Sequence, residues 1–171
     1  MTLQEANCYS PDHTTPWYLH DLIFGTLKLK PGDVFFDLGS GNGEVVEEAY
    51  RRGAKAFGVE INSEMVKDSR KRFPNCVIIE DYIENVDLSK ADCIYMFLDV
   101  SITNRIGHEK IIKGCKIGTR IVSLVFSMFG FEPSDRIYIG DIGDRFEKTL
   151  LYLYKMPLKF IPPLYSKSKL H

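Results

Sequence analysis

The sequence predicts an α/β fold, a doubly wound sheet that is mostly parallel and ends in an antiparallel hairpin. Three observations predict it. The apolar, β-prone run Val34-Phe35-Phe36 leads into Asp37-Leu38-Gly39-Ser40-Gly41-Asn42-Gly43, and Val45, Val46, Ala49 and Tyr50 then follow at helical spacing. Strand-like and helix-like stretches go on alternating as far as Phe126, the pattern of a parallel sheet covered on both faces. The last two strand-like stretches, Arg136–Ile139 and Thr149–Tyr154, have Gly140-Asp141-Ile142-Gly143-Asp144 between them and no room for a helix, so they pair antiparallel.

Residues 1–15 read as irregular, with turn chemistry at Tyr9, Pro11, Thr14 and Thr15. Thr15-Pro16 reads as a helix start, a hydroxyl cap followed by proline at the first position. Trp17, Leu19, Ile23, Phe24 and Leu27 are its apolar residues, and Lys30-Pro31-Gly32-Asp33 is a turn. After the first strand and helix, Ala54–Ile61 is a second strand ending at Glu60. Asn62 or Ser63 caps a helix with Met65, Val66, Ser69 and Phe73 on one side, and Pro74-Asn75 ends it. Cys76–Ile79 is a third strand, followed by Glu80-Asp81. Asp92–Leu98 is a fourth, apolar apart from Asp92 and Tyr95. Ile102, Ile106, Ile111 and Ile112 mark a helix, Gly118 breaks the chain, and Thr119–Phe126 is a fifth strand. Gly130 to Pro133 is a loop before the hairpin, which brings the sheet to seven strands.

Hydrophobic residues make up 44% and charged residues 26% of the 171, as in a soluble globular domain long enough for a real core. The formal net charge is −1 and the basic residues are scattered, so there is no strong nucleic-acid signal. Only Lys155, Lys159, Lys167 and Lys169 form a locally basic stretch, read as a solvated end. Cys8, Cys76, Cys93 and Cys115 lack CxxC spacing and do not cluster with histidines, which argues for a reducing compartment and against a metal site. There is no leader pattern and no apolar run of membrane-spanning length. Ser168-Lys169-Leu170 is followed by His171 and is not a terminal peroxisomal address. The expectation is a monomeric cytoplasmic protein with one domain over 1–156. Pro157, Pro162 and Pro163 suggest an extended tail over 157–171.

Ligands of such sheets bind beyond the carboxyl ends of the strands, where the strand order reverses. Those ends carry Gly39, Gly41 and Gly43, then Glu60, Asp81, and Leu98 with Asp99. Glycine tolerates positive φ and lets backbone N–H groups approach a ligand. The helix that follows points its positive end the same way. Glu60 suits two hydrogen bonds from vicinal ribose hydroxyls, the alternative being an exposed strand-end carboxylate. Asp81 suits an adenine amino group, the alternative being a turn-initiating aspartate. Asp37 either braces the loop through backbone N–H groups or meets a ligand's ammonium, directly or through water.

Together these residues resemble a class I, seven-strand S-adenosylmethionine-dependent methyltransferase, over about residues 16–156 of a Rossmann-like sheet. The turn has the compact GxGxG form. Glu44 stands where dinucleotide folds carry their third glycine, and it would repel a pyrophosphate, which disfavours an NAD-dependent dehydrogenase. A narrower resemblance runs through Cys8-Tyr9-Ser10-Pro11, Thr15-Pro16, Met96-Phe97-Leu98, Gly118-Thr119-Arg120-Ile121-Val122-Ser123 with Phe126, and Thr149–Tyr154. It is to the small archaeal broad-specificity protein-lysine methyltransferases. It implies S-adenosyl-L-methionine as cofactor, bound by Tyr9, Thr15, Asp37, Gly39, Ser40, Gly41, Gly43, Glu60, Ile61, Asp81, Tyr82, Phe97 and Leu98. It also implies that residues 1–15 fold over that cofactor and that protein lysines are the substrate. The family's Tyr-Val-Pro-Thr-Pro segment is represented by Asp12-His13-Thr14-Thr15-Pro16, which keeps Thr15 and Pro16, and an arginine common after the last motif glycine is Glu44 here.

The sulfonium of that cofactor is already activated, so positioning of the nucleophile dominates. A lysine amine must arrive neutral, and an apolar channel lowers its pKa. Phe97, Phe126 and Phe129 either line that channel or pack in the core. Asp99 takes a proton, holds the incoming ammonium, or is a loop carboxylate with no role; no general base is assigned. Leu98-Asp99-Val100-Ser101 replaces the Asn-Pro-Pro-aromatic signature of base-amino methyltransferases, which weighs against adenine or cytosine methylation. Methylation of RNA or a small metabolite, and a non-catalytic cofactor-binding role, are the alternatives.

Overall fold

The computed structural model describes residues 14–142 and 146–161. Tyr9, His13 and most of the expected cofactor-covering segment lie outside the described residues. The chain enters through a 3₁₀ turn, Trp17–Leu19, and continues as α1 (His20–Leu27). Thr15 does not cap this helix as its sequence position suggests. Its Oγ1 is hydrogen-bonded to Tyr95 Oη at 2.7 Å, and the first turn tightens instead, with Leu19 N–H donating to the Pro16 carbonyl at 3.0 Å. The physical reason is the buried tyrosine, whose hydroxyl requires a partner.

Then come β1 (Val34–Leu38), α2 (Glu44–Arg51), β2 (Lys55–Glu60), α3 (Ser63–Arg72) and β3 (Val77–Glu80). Asn62 is the cap of α3, its side chain accepting from Glu64 N–H and Met65 N–H at 3.0 and 3.2 Å. Ser63 is turned to β3 instead, its hydroxyl donating to Glu80 Oε1 at 2.6 Å. The link to β4 (Cys93–Met96) carries a 3₁₀ turn, Ile83–Asn85, and buries Val86 and Leu88. Helix α4 (Val100–Ile106) runs on into a π-helical turn, Gly107–Ile111, and a last α-helical turn, Ile112–Gly114. The remaining strands are β5 (Arg120–Leu124), β6 (Phe131–Glu132), β7 (Asp135–Ile142), β8 (Phe146–Lys155) and β9 (Lys159–Phe160).

Seven strands form one sheet in the order β3-β2-β1-β4-β5-β8-β7. The first five are parallel, and β8 runs antiparallel to both β5 and β7. The predicted Rossmann-like α/β architecture and its terminal hairpin are therefore present. β6 and β9 pair separately as a two-stranded antiparallel sheet, with the Phe131 and Phe160 rings 4.9 Å apart. The sequence reads 130–133 as loop and 157 onward as tail; strands of two residues are too short for alternation to reveal.

Successive strand residues point to opposite faces, so each face has its own core. On one face Phe35, Tyr95 and Val122 pack with Leu19, Ile23, Phe24, Val46 and Val66. On the other, Phe36, Leu38, Ile94, Met96 and Ile121 pack with Leu88, Ile106, Ile111, Met128 and Tyr154. The chain turns to one side of β1 for β2 and β3 and to the other for β4 and β5. A crevice therefore opens at the carboxyl ends of β1 and β4. Among the described residues no helix is long and apolar enough to cross a membrane.

Candidate functional site

The glycine turn wraps the carboxyl end of β1. Gly39 and Ser40 N–H both donate to the Val59 carbonyl, at 2.9 and 3.0 Å, which clamps the turn to β2, and Gly43 N–H closes onto the Ser40 carbonyl at 2.9 Å. The three glycines have φ of +84°, +53° and +83°, but they are needed for different reasons. A Cβ on Gly39 would run into the Leu98 side chain, and one on Gly43 into the Ser69 hydroxyl of α3. Gly39 and Gly43 thus serve close packing. At Gly41 a Cβ would meet nothing nearer than Met65 Sδ at 3.9 Å, so this is where backbone stands open to a ligand. Gly58 on β2, which the sequence does not mark, completes the cradle: a Cβ there would lie 2.5 Å from Ser40 Oγ. Ser40 is therefore packed inward, 7% exposed, with its hydroxyl unpaired in the structure.

Glu60 braces the turn. Its Oε2 accepts from Gly41 N–H at 2.9 Å and its Oε1 from Asn62 N–H at 2.8 Å, tying the glycine turn to the cap of α3. Each carboxylate oxygen has a second lone pair, so the group keeps capacity for a vicinal diol. Asp37 is 3% exposed. Burial, with the Glu60 charge second, pushes its carboxyl up to about 8. Its register partner on β4 is Tyr95, wholly buried, whose hydroxyl is held by Thr15 and lies well above its ordinary pKa through burial. Thr15, Tyr95 and Asp37 thus come together on the α1 side of the crevice. Tyr95, like Gly58, is a residue that sequence reasoning missed; the available signal was a lone hydroxyl in an otherwise apolar central strand.

Ile61 and Tyr82 follow the ends of β2 and β3, 50% and 61% exposed, where the register pairs Glu60 with Glu80. Asp81 precedes Tyr82, the residue at the start of the 3₁₀ turn, and its Oδ1 accepts from Tyr82 N–H at 2.7 Å and Asn85 Nδ2 at 2.6 Å. These two bonds brace the turn after β3. At the end of β4, Leu98 packs under Gly39, and Phe97 is half-buried against the α1-side core. Asp99 is the N-cap of α4. Ser101 Oγ and N–H donate to its Oδ1 at 2.6 and 2.8 Å and hold its carboxyl below the ordinary carboxylate range. That makes Asp99 a poor proton acceptor and a persistent negative charge.

β5 stops two residues before the sequence run does. Val125 takes φ +70°. Phe126 N–H donates back to the Leu124 carbonyl at 2.9 Å, which closes a γ-turn. Val125 N–H donates to the Leu150 carbonyl at 2.9 Å, and Ser123 Oγ to the Phe126 carbonyl at 2.6 Å. A β-branched residue in the left-handed region is strained, by about 1–3 kcal/mol. The result is that Phe126 leaves the strand line at the carboxyl end of the sheet. Phe129 is 79% exposed, so it belongs to no core.

An unobstructed stretch of backbone at Gly41, a strand-end carboxylate suited to a diol, a buried carboxyl suited to an ammonium, and apolar walls match a nucleoside joined to an amino acid. The compact turn, with Glu44 at the start of α2, does not favour a pyrophosphate. These residues fit S-adenosylmethionine.

Comparison with known proteins agrees. The family described as the ANTKMT methyltransferase domain matches residues 37–135. A protein-lysine N-methyltransferase of Saccharolobus islandicus is 31% identical over 134 residues, 74% of this chain and 82% of that protein. A probable cobalt-precorrin-6B C(15)-methyltransferase of Archaeoglobus fulgidus is 41% identical over 61 residues, 34% of this chain and 37% of that protein. An RNA methyltransferase of Salinibacter ruber, solved with S-adenosyl-L-homocysteine, superposes with a TM-score of 0.76 at 25% identity, covering 88% of this chain and 97% of that one. The chain belongs to the ANTKMT methyltransferase-domain family and is an S-adenosylmethionine-dependent methyltransferase.

Proposed function

We propose that the enzyme methylates lysine side chains of proteins. The observation that carries this reading is the 31% identity, over most of both chains, to a protein-lysine N-methyltransferase. Two features of the site agree with it. Leu98-Asp99-Val100-Ser101 supplies no side-chain amide for the edge of a base. Asp99 carries a persistent negative charge at the carboxyl end of β4, where a cationic amine can be received.

In this reading S-adenosylmethionine supplies an electrophilic methyl group. The Gly41 backbone lies against it, and Gly39, Ser40 and Gly43 shape the turn. Glu60 takes the ribose hydroxyls, Ile61 and Tyr82 flank the base with Asp81 beside them, and Asp37, Thr15 and Tyr95 attend the amino-acid end. Phe97, Leu98 and Phe126 form an apolar wall that disfavours an ammonium and so delivers the lysine as a neutral amine. Asp99 attracts the cation before it enters. Tyr9 completes the set, as the resemblance implies.

The test is incubation with methyl-labelled S-adenosylmethionine and a cell lysate, followed by protease or nuclease digestion. Label lost only to protease and recovered as methyl-lysine is the expected result. Label lost to nuclease favours the second reading, RNA methylation, which rests on the likeness to the Salinibacter ruber enzyme. Label in neither polymer overturns both and leaves a small-molecule substrate.

A further inference from the structure

Phe129 presents an exposed ring from a backbone that is fixed on both sides. The Asn104 side chain accepts from Phe129 N–H, and His108 Nε2 is bonded to the Phe129 carbonyl at 2.8 Å. His108 is itself packed against Phe131, ring centroids 4.6 Å apart, and Phe131 against Phe160. The same Asn104 side chain donates from Nδ2 to the Val100 carbonyl at 2.7 Å. One amide therefore sets Phe129 beside Val100, which is 46% exposed, and Asp99 precedes Val100 in the chain. An ordered, solvent-facing aromatic of this kind is what binding hot spots are made of.

This ledge has a defined position and charge. Leu98, the residue before Asp99, packs under Gly39 of the glycine turn, so the ledge adjoins the crevice. Both bonds that Ser101 gives Asp99 fall on Oδ1. Arg105, on the same helix, is engaged by Glu84 at 2.8 Å and does not neutralise Asp99. An apolar surface with a carboxylate at its edge is complementary to an aliphatic stem that ends in a cation. The exposed ring adds cation–π attraction.

We propose that the ledge of Phe129, Val100 and Asp99 binds a basic side chain of the protein substrate that flanks the lysine being methylated. The inference rests on the lysine reading above and adds what selects among lysines. The acceptor lysine passes Asp99 and enters the crevice as the neutral amine, and its basic neighbour then lies outside, its stem across Phe129 and Val100 and its charge in the vacated place against Asp99.

The test uses the full chain, S-adenosylmethionine and peptides that carry one acceptor lysine and differ only in the flanking residues, arginine, serine or glutamate. KM is expected to be lowest for arginine and highest for glutamate, with about a fivefold gap between arginine and serine. Phe129→Ala is expected to bring the arginine-to-serine ratio close to one. Asp99→Asn should do the same, and asparagine retains the helix cap, so the fold is kept. Equal KM for the wild type, or an unchanged ratio in both variants, overturns the inference and leaves the lysine reading standing. Methylation of no peptide, or of an oligoribonucleotide in place of every peptide, overturns both.

Discussion

Asp37 offers the sharpest test of the site, because its burial ties fold stability, pH and cofactor together. Its carboxyl is pushed from 3.8 to about 8, chiefly by burial. The folded chain therefore holds a proton that the unfolded chain has lost between about pH 4 and pH 8. Stability contributed by this group is greatest below about pH 4, falls as pH rises through that window, and is lost above about pH 8. At about 1.4 kcal/mol per tenfold, the span from 3.8 to about 8 sets a ceiling of about 6 kcal/mol, of which about 4 kcal/mol falls between pH 5 and pH 9. Water entry and relaxation around a buried ion return part of that, so a difference of about 2–4 kcal/mol is expected between those two pH values. Urea unfolding of the cofactor-free protein at pH 5 and pH 9 measures it, with Asp37→Asn as reference. The wild type should lose that much more stability than the variant between the two pH values. An ammonium brought to Asp37 draws the carboxyl back to its ionised form. Binding of S-adenosylmethionine at pH 7 should then release up to one proton, seen by calorimetry in buffers of different ionisation heat. Equal pH dependence in wild type and Asp37→Asn refutes the burial argument. No proton release from the wild type removes Asp37 from the ammonium.

Other substitutions separate packing from binding around the turn. Gly43→Ala forces a side chain onto the Ser69 hydroxyl at φ +83° and should destabilise the fold by about 2 kcal/mol in urea; Ser69→Ala, which removes an unpaired hydroxyl, should restore part of it. Glu60→Ala releases both Gly41 and Asn62 N–H groups and should weaken S-adenosylmethionine by at least about tenfold, the loss of one charge-assisted hydrogen bond. Gly41→Val should also abolish cofactor affinity while thermal unfolding stays cooperative; normal affinity in calorimetry would remove the open backbone from the site. Tyr95→Phe strands Thr15 Oγ1 and should cost about 1 kcal/mol of stability, with weaker cofactor binding as the further readout.

What was legible in the sequence follows from what a linear pattern can carry. The glycine turn, Asn62 as a cap and the strand-end acids are encoded locally, in a few adjacent residues. The helix start at Thr15 misleads because the competing partner, Tyr95, is 80 residues away. The role of Gly58 is hidden for the same reason: it is set by Ser40 of the glycine turn, 18 residues earlier in the chain. β5 reads on to Phe126 because Val125 has strand-like chemistry, and only its φ shows otherwise. Asp99 reads as a chemical candidate, whereas the structure adds the cap that keeps it ionised. The small β6–β9 sheet needs pairing across 29 residues, which no short window reports.

The strained backbone at Val125 sets thermodynamic ease against a single direction for the chain that follows it. Glycine at that position would relieve the left-handed conformation, yet it would also let the chain beyond Leu124 choose among many paths. The direction in which the Phe126 ring leaves the sheet would then be an average instead of a single orientation. A chain optimised for melting temperature alone would discard the valine. Its presence marks a place where conformational precision is kept at the expense of local comfort, and where thermostabilised variants are expected to trade turnover for robustness.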